Sequence, residues 1–351
     1  MSSKIRSIMT SFVAFVGVGK AGCKIAQEFM KLGYSAYYIN SSEKDLSIID
    51  APKSMKYQIP FAQGTNGSRK LAKQYCKDYF DIIVRNIKSK LGNFTHIYFC
   101  FSAGGGTGSG ITPILIKNLI KHASDMDFGV ICALPSTSDY PQSKYNAYEC
   151  VKEIKMIEEL CNIYFIDNNF CMFKDRLTDL DVVNELFATR FDNTMMVVDT
   201  DDTGNVDETE MRAALSIKGC CTFADMIHDD EVKSDSMILP LRKGCDFILY
   251  SLNNKTTFDY DLVENTFGKP DVFKVGKGVD DLMAVFGLPY PDYYINELAK
   301  FYTEDVDTMN SIDEEVVDII DVKYVNPSDK RRKNMKIVAK MDQLLDEFEE
   351  F

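Results

Sequence analysis

Long apolar runs, metal-ligand spacings and an excess of basic charge are all missing from this 351-residue sequence, and each absence removes a class of function. Only three histidines occur, and none of the ten cysteines (23, 76, 100, 132, 150, 161, 171, 220, 221 and 245) forms a Cys-x-x-Cys pair, so a zinc ribbon or thiol redox motif is not encoded. The cysteines fall mostly inside apolar runs and read as reduced core thiols, which predicts a cytoplasmic protein. The apolar run at 12–18 is too short for a signal segment or a spanning helix, so no membrane role is expected. Against 40 Lys and Arg stand 53 Asp and Glu, a net charge of −13 that repels phosphate polymers, so direct DNA binding is not expected. No internal repeat or low-complexity tract is present. What remains, 45% hydrophobic and 26% charged, is enough for a full core and predicts two packed lobes.

Apolar, β-rich runs alternate with helical patterns through the first half: "FVAFVGV", "KIAQEFMKL", "SAYYIN", "SRKLAKQYCKDYFDIIVRNIKSKL", "HIYFCFSA", "PILIKNLIKHA", "FGVICALP", "NAYECVKEIKMIEEL" and "NIYFID". That order predicts βαβ units around a mainly parallel sheet, with ligands beyond the carboxyl ends of the strands. Leu177, Leu180, Val183, Leu186 and Phe187 at helical spacing predict a long helix leaving this lobe. The runs "SMILPLRKG", "CDFILYSLN" and "GVDDLMAVFGL" predict a smaller α+β lobe. At the end, "NPSDKRRKNMKIVAK" is basic and "MDQLLDEFEEF" acidic, with Val338, Met341, Leu345 and Phe348 on one stripe that either packs on the body or engages a partner.

Two loops are stripped of side chains. In "FSAGGGTGSG", Gly104, Gly105, Gly106, Thr107, Gly108 and Ser109 follow a strand and precede a helix. Such a run aims successive amides at an anion, the helix N-terminus adds its partial charge, and the hydroxyls of Thr107 and Ser109 can donate to phosphate oxygens. In "GVGKAGCKIA", Gly17, Gly19 and Gly22 satisfy G-x-G-x-x-G between strand and helix, the dinucleotide pattern. However, Asn40 stands where that pattern places an acidic ribose ligand, and Cys23-Lys24 breaks the alternative P-loop reading.

With these loops in place, the sequence resembles the tubulin/FtsZ family, and within it the TubZ-type partition tubulins of bacterial plasmids and phages. "GGGTGSG" matches the family's phosphate loop letter for letter. Gly19, Lys20, Ala21 and Gly22 resemble its first nucleotide loop, the stretch from Asn40 its second, and Gly64, Thr65, Asn66 and Gly67 its third. "LPSTSDYPQSKYNA" resembles the ribose loop, while Asn168 and Asn184 match its base contacts, although as residues they hydrogen-bond either purine.

The resemblance implies GTP or GDP with Mg2+ as cofactors and no dedicated protein metal site. It also implies that Asn205, Asp207 and Glu210 complete the active site of the next subunit of a filament; as composition alone, Asp207 also reads as a helix N-cap. The implied organisation is a Rossmann-like GTP-binding domain at 1–175, a central helix at 176–200, a second domain at 201–326 carrying the catalytic loop at 204–211, and a helical tail at 327–351. The implied function is a GTPase activated by polymerisation, partnered by itself head to tail and, through the tail, by a DNA-binding adaptor at a centromere, so that it segregates plasmid or phage DNA. Two rivals stand beside it: an NAD(P)-dependent Rossmann oxidoreductase, which leaves "GGGTGSG" unexplained, and a nucleotide-binding filament without turnover.

Overall fold

A computed structural model describes residues 9–123, 125–169, 180–197, 206–227, 231–234, 244–252, 260–278 and 280–306. Expectations placed on Asn205, on Leu177 and on the tail at 327–351 lie outside the described residues. The chain divides into compact units Met1–Val316 and Val317–Phe351, and every described residue lies in the first.

Strands β1 (Val13–Val18), β2 (Ser35–Asn40), β4 (His96–Ser102), β5 (Asp127–Leu134) and β6 (Ile163–Asp167) alternate with helices α1 (Gly19–Lys31), α3 (Arg69–Leu91), α4 (Thr107–Ile120) and α5 (Pro141–Lys155). The short α2 (Glu43–Ser47) and β3 (Lys56–Gln58) complete this part. The strands read apolar on both faces because helices cover both: β1 is buried throughout, as are β5 after its first residue and all of β6. Helix α6 (Leu180–Met195) leads to α7 (Glu208–Leu215), β7 (Cys220–Ile227), β8 (Glu231–Ser234), β9 (Phe247–Leu252), α8 (Tyr260–Phe267), β10 (Val272–Lys277), β11 (Leu282–Leu288) and α9 (Asp292–Val306).

The eleven described strands form one sheet in the order β10-β9-β11-β7-β6-β5-β4-β1-β2-β3, with β8 paired to β7 off this path. From β3 to β6 every pairing is parallel; β11 is antiparallel to both β7 and β9. The two halves meet at β6 and β7 through the pair Ile163 and Cys220. The nine described cysteines are free and buried, as expected of core thiols.

Helices α1 and α6 pack together on one face, while α3, α4 and α5 pack on one another. Aromatic rings hold α6 down. Phe191 lies edge-on to Phe15, Phe29 and Tyr98 at 5.7, 5.3 and 5.2 Å between centroids, and Phe187 lies 5.6 Å from Tyr164. Each such buried ring contributes about 1.5–3 kcal/mol relative to exposure. The buried stripe of α6 is therefore Val183, Phe187, Ala188, Phe191 and Met195, whereas Leu180 and Leu186 are exposed. The apolar spacing forecast a helix here, but the aromatic socket on the sheet selected a different face of it.

Candidate nucleotide site

Loops at the carboxyl ends of β1, β2, β4, β5 and β6 enclose a cleft of about 650 Å³. Its lining includes Gly19, Lys20 and Ala21 after β1, Asn40 at the end of β2, Gly64, Thr65, Asn66 and Gly67 before α3, and Gly104 to Gly108 after β4. Asn168 and Asn184 reach the same cleft. The structure thus brings fifteen of the expected nucleotide contacts to one cavity.

Two helices start side by side there. A Cβ on Gly19 would lie 3.0 Å from the amide nitrogen of Gly108, so the first turns of α1 and α4 adjoin. Neither first turn carries an acid, which leaves both positive helix ends available to an anion. Three hydroxyls from three loops meet over them: Thr107 Oγ1 lies 2.8 Å from Ser41 Oγ and 3.2 Å from Thr65 Oγ1. Two contacts occupy two of their three protons, so one donor remains for a ligand oxygen. Asn40 is buried, and its Oδ1 accepts from the Ser42 amide at 3.2 Å while its Nδ2 has no hydrogen-bond partner. An unpaired buried amide beside the cleft costs about 1–3 kcal/mol unless a bound acceptor satisfies it.

Gly22 and Ser109 do not line the cleft. Gly22 lets α1 approach β4, since a Cβ there would fall 2.0 Å from the Cys100 carbonyl oxygen. Ser109 is fully buried, and its hydroxyl donates to the Gly105 carbonyl, so it shapes the glycine loop from within. Asn146 ties the two glycine loops together by donating to the Gly67 and Gly104 carbonyls at 2.8 and 3.1 Å. Beneath them Arg69, nine-tenths buried, donates to Ser109 O at 3.2 Å and pairs with Glu153 at 2.5 Å.

The residue pattern had not singled out Lys24 and Asp181, which line the cleft and pair across it at 2.7 Å. No signal in the sequence links a lysine to an acid 157 positions away. Asp45 and Asp139 also line the cleft, and Asp139 accepts from the Ser136 amide at 2.9 Å. Among the described residues no group of three or more His, Cys, Asp or Glu is placed to hold a metal ion.

Asp207 and Glu210 are elsewhere. Asp207 caps α7 by accepting from the Glu210 amide at 2.8 Å, and Glu210 accepts in return from the Asp207 amide at 3.2 Å. Glu210 also pairs with Lys274. The capping role anticipated for Asp207 from composition is thus observed.

Helix α7 sits on the amino edge of the sheet. Arg212 donates to Thr95 Oγ1 at 2.8 Å and stacks 3.9 Å over the Phe12 ring, both at the start of strands. His96 continues the contact: its Nδ1 lies 2.9 Å from Thr95 Oγ1 and its Nε2 lies 3.2 Å from Ser216 Oγ, which donates to Asp127 at 2.5 Å. Burial pushes the His96 pKa down and the nearby Arg212 adds to this, while Asp127 opposes them. The neutral ring completes a directional chain from Arg212 through Thr95, His96 and Ser216 to Asp127.

Residues 13–175 match the Tubulin/FtsZ family, GTPase domain. The tubulin-like protein TubZ of Clostridium botulinum C phage is 30% identical over 215 residues, 60% of this chain and 58% of its own length. The chain therefore spans less than two thirds of that relative. Among solved structures, the crystal structure of Clostridium botulinum phage c-st TubZ superposes with a TM-score of 0.73 at 22% identity, over 84% of this chain and 98% of that one. A GTPγS-form protofilament of Bacillus thuringiensis serovar israelensis TubZ gives 0.70 at 16% identity, over 86% and 94%. These two likenesses establish the fold.

Proposed function

Because residues 13–175 match the Tubulin/FtsZ family, GTPase domain, we propose that this protein binds and hydrolyses GTP and assembles head to tail into filaments whose subunit contacts complete the catalytic site. The observation that carries the reading is the separation of two half-sites. The glycine-lined cleft occupies the carboxyl edge of the sheet and the α7 acids its amino edge. Seven residues of β4 span that distance, about 20 Å at the rise of a strand. One chain does not bring Asp207 or Glu210 to its own cleft, whereas a copy stacked in the same orientation does.

In the assembled pair, the amides around Gly106 and the hydroxyl cluster at Thr107 hold the phosphates, and Asn40 donates its unpaired Nδ2 proton. Asn168 and Asn184 face the base. Asp207 and Glu210 of the neighbour, with Asn205, orient a water whose oxygen attacks the γ-phosphorus as the bond to the bridging oxygen breaks. A Mg2+ ion bound with the nucleotide would take its ligands mainly from phosphate oxygens and water, as this ion commonly does. It would offset phosphate charge. The division into nucleotide domain, central helix, second domain and tail follows the same reading, as does a DNA-binding adaptor engaging residues 327–351 for segregation of plasmid or phage DNA.

The test is phosphate release across a protein concentration series. Turnover per chain should be low when dilute and rise above a threshold at which filaments sediment. Equal turnover per chain at every concentration would overturn the shared site, release absent at all concentrations would favour a filament without turnover, and NADH binding without GTP binding would restore the oxidoreductase rival.

A further inference from the structure

Phe61 is 94% exposed and Tyr140 is 84% exposed, the two most exposed large hydrophobics among the described residues. Phe61 also has a φ of 60°, a conformation that costs a bulky residue about 1–3 kcal/mol. A ring held in water at a backbone cost gains nothing within its own chain. Neither backbone is loosely placed. The Ile59 amide donates to Asn40 O and the Gly64 amide to Ser41 O, both at 2.9 Å, so the Phe61 turn is fastened to cleft-lining residues. Tyr140 caps α5, where its carbonyl accepts from Ser143 at 2.9 Å.

Both rings stand in loops at the carboxyl edge of the sheet, the edge that carries the cleft. Phe61 follows β3, at one end of the strand order, and Tyr140 follows β5, with β4, β1 and β2 between. We propose that Phe61 and Tyr140 are the apolar anchors of the filament contact, received by the amino-edge surface of a second copy of this chain. The inference rests on the head-to-tail reading above and names the residues that carry its affinity. A two-fold pairing would join cleft to cleft and leave the α7 acids at the outer ends; a translated copy covers the cleft and both rings with the edge that holds those acids. Exposed aromatics around a polar centre are the residues expected to dominate such a contact.

Full-length Phe61→Gly and Tyr140→Ser proteins test this. Glycine accepts the positive φ, so Phe61→Gly should leave the thermal midpoint no lower than wild type while removing the ring. Affinity for a fluorescent GTP analogue, measured with dilute protein, should stay within about twofold, and the threshold for sedimentation and phosphate release should rise about tenfold, the loss typical of an interface anchor. A benzophenone side chain at position 61 should cross-link two chains when GTP is present. An unchanged threshold in the variants, beside a wild-type threshold, overturns the anchors and leaves the proposed function standing. Weakened analogue binding with an unchanged threshold would assign the rings to the pocket instead, and cross-links confined to residues 317–351 of the same chain would make the tail the occupant. Wild-type protein without any threshold removes both readings.

Discussion

Neighbouring glycines in the Gly104–Gly108 run meet different surroundings, and a single methyl group separates them. On Gly106 a Cβ would fall 2.4 Å from Thr65 Oγ1 and 2.7 Å from the Gly67 carbonyl carbon, forcing two nucleotide loops apart. On Gly105 the nearest atom would be Ser102 O at 3.9 Å. Gly106→Ala should therefore lower stability by about 1–3 kcal/mol in a urea melt, as overpacking does, and Gly105→Ala should leave the midpoint unchanged. Equal midpoints would mean that the loops yield freely. Ser109 adds a related distinction: a hydroxyl beside a phosphate loop need not face the phosphate, and here it closes the loop on Gly105.

Helix α7 is eight residues long, too short to hold itself, and is fixed by what its side chains reach. Arg212 and Ser216 connect it through Thr95 and His96 to Asp127, while Asn162 donates to the Ala214 and Ile217 carbonyls at 3.0 Å. Since burial disfavours the charged imidazole, the unfolded chain binds more protons than the folded one below the ordinary value of 6.5. Stability should then be complete above that value and fall as the pH drops from about 7 to 5. A protonated Nδ1 also ceases to accept from Thr95, loosening the clamp on α7. The groups facing the ring are Asp127 on β5 and Arg212 on α7, itself paired with Glu208 at 2.7 Å. His96→Gln should flatten the dependence between pH 7 and 5 in urea midpoints; an unaltered slope would assign it to other groups.

Across the whole molecule, the proposed coupling of turnover to assembly rests on a sheet that carries the cleft at one edge and the α7 carboxylates at the other. Glu210 touches no cleft residue in its own chain, and its partners are the Asp207 amide and Lys274. Glu210→Ala should leave GTP affinity in dilute protein unchanged and lower phosphate release in concentrated protein by about 10²-fold or more, the usual loss when a group handling the attacking water is removed. Filaments of that variant should persist under electron microscopy after wild-type filaments have shortened. Undiminished release would remove Glu210 from the reaction.

The amino-acid sequence alone determined the alternation of strand and helix, because buried parallel strands and glycine loops leave short-range marks: "GGGTGSG" and "GVGKAGCKIA" stand at helix starts, as their composition demanded. It also placed fifteen cleft residues, most of them through glycine-rich stretches at the ends of strands, and Asn168 and Asn184 through the family resemblance alone. Tertiary structure decided what depends on distant partners. The face of α6 that is buried was chosen by rings on β1, β4 and α1, the pairing of Lys24 with Asp181 by the packing of α1 on α6, and the burial of Ser109 by α3, whose Arg69 donates to its carbonyl. The separation of the cleft from the α7 acids was settled in the same way. A motif records which groups a loop carries, but the edge of the sheet on which that loop stands is set by long-range contacts between side chains far apart in the chain.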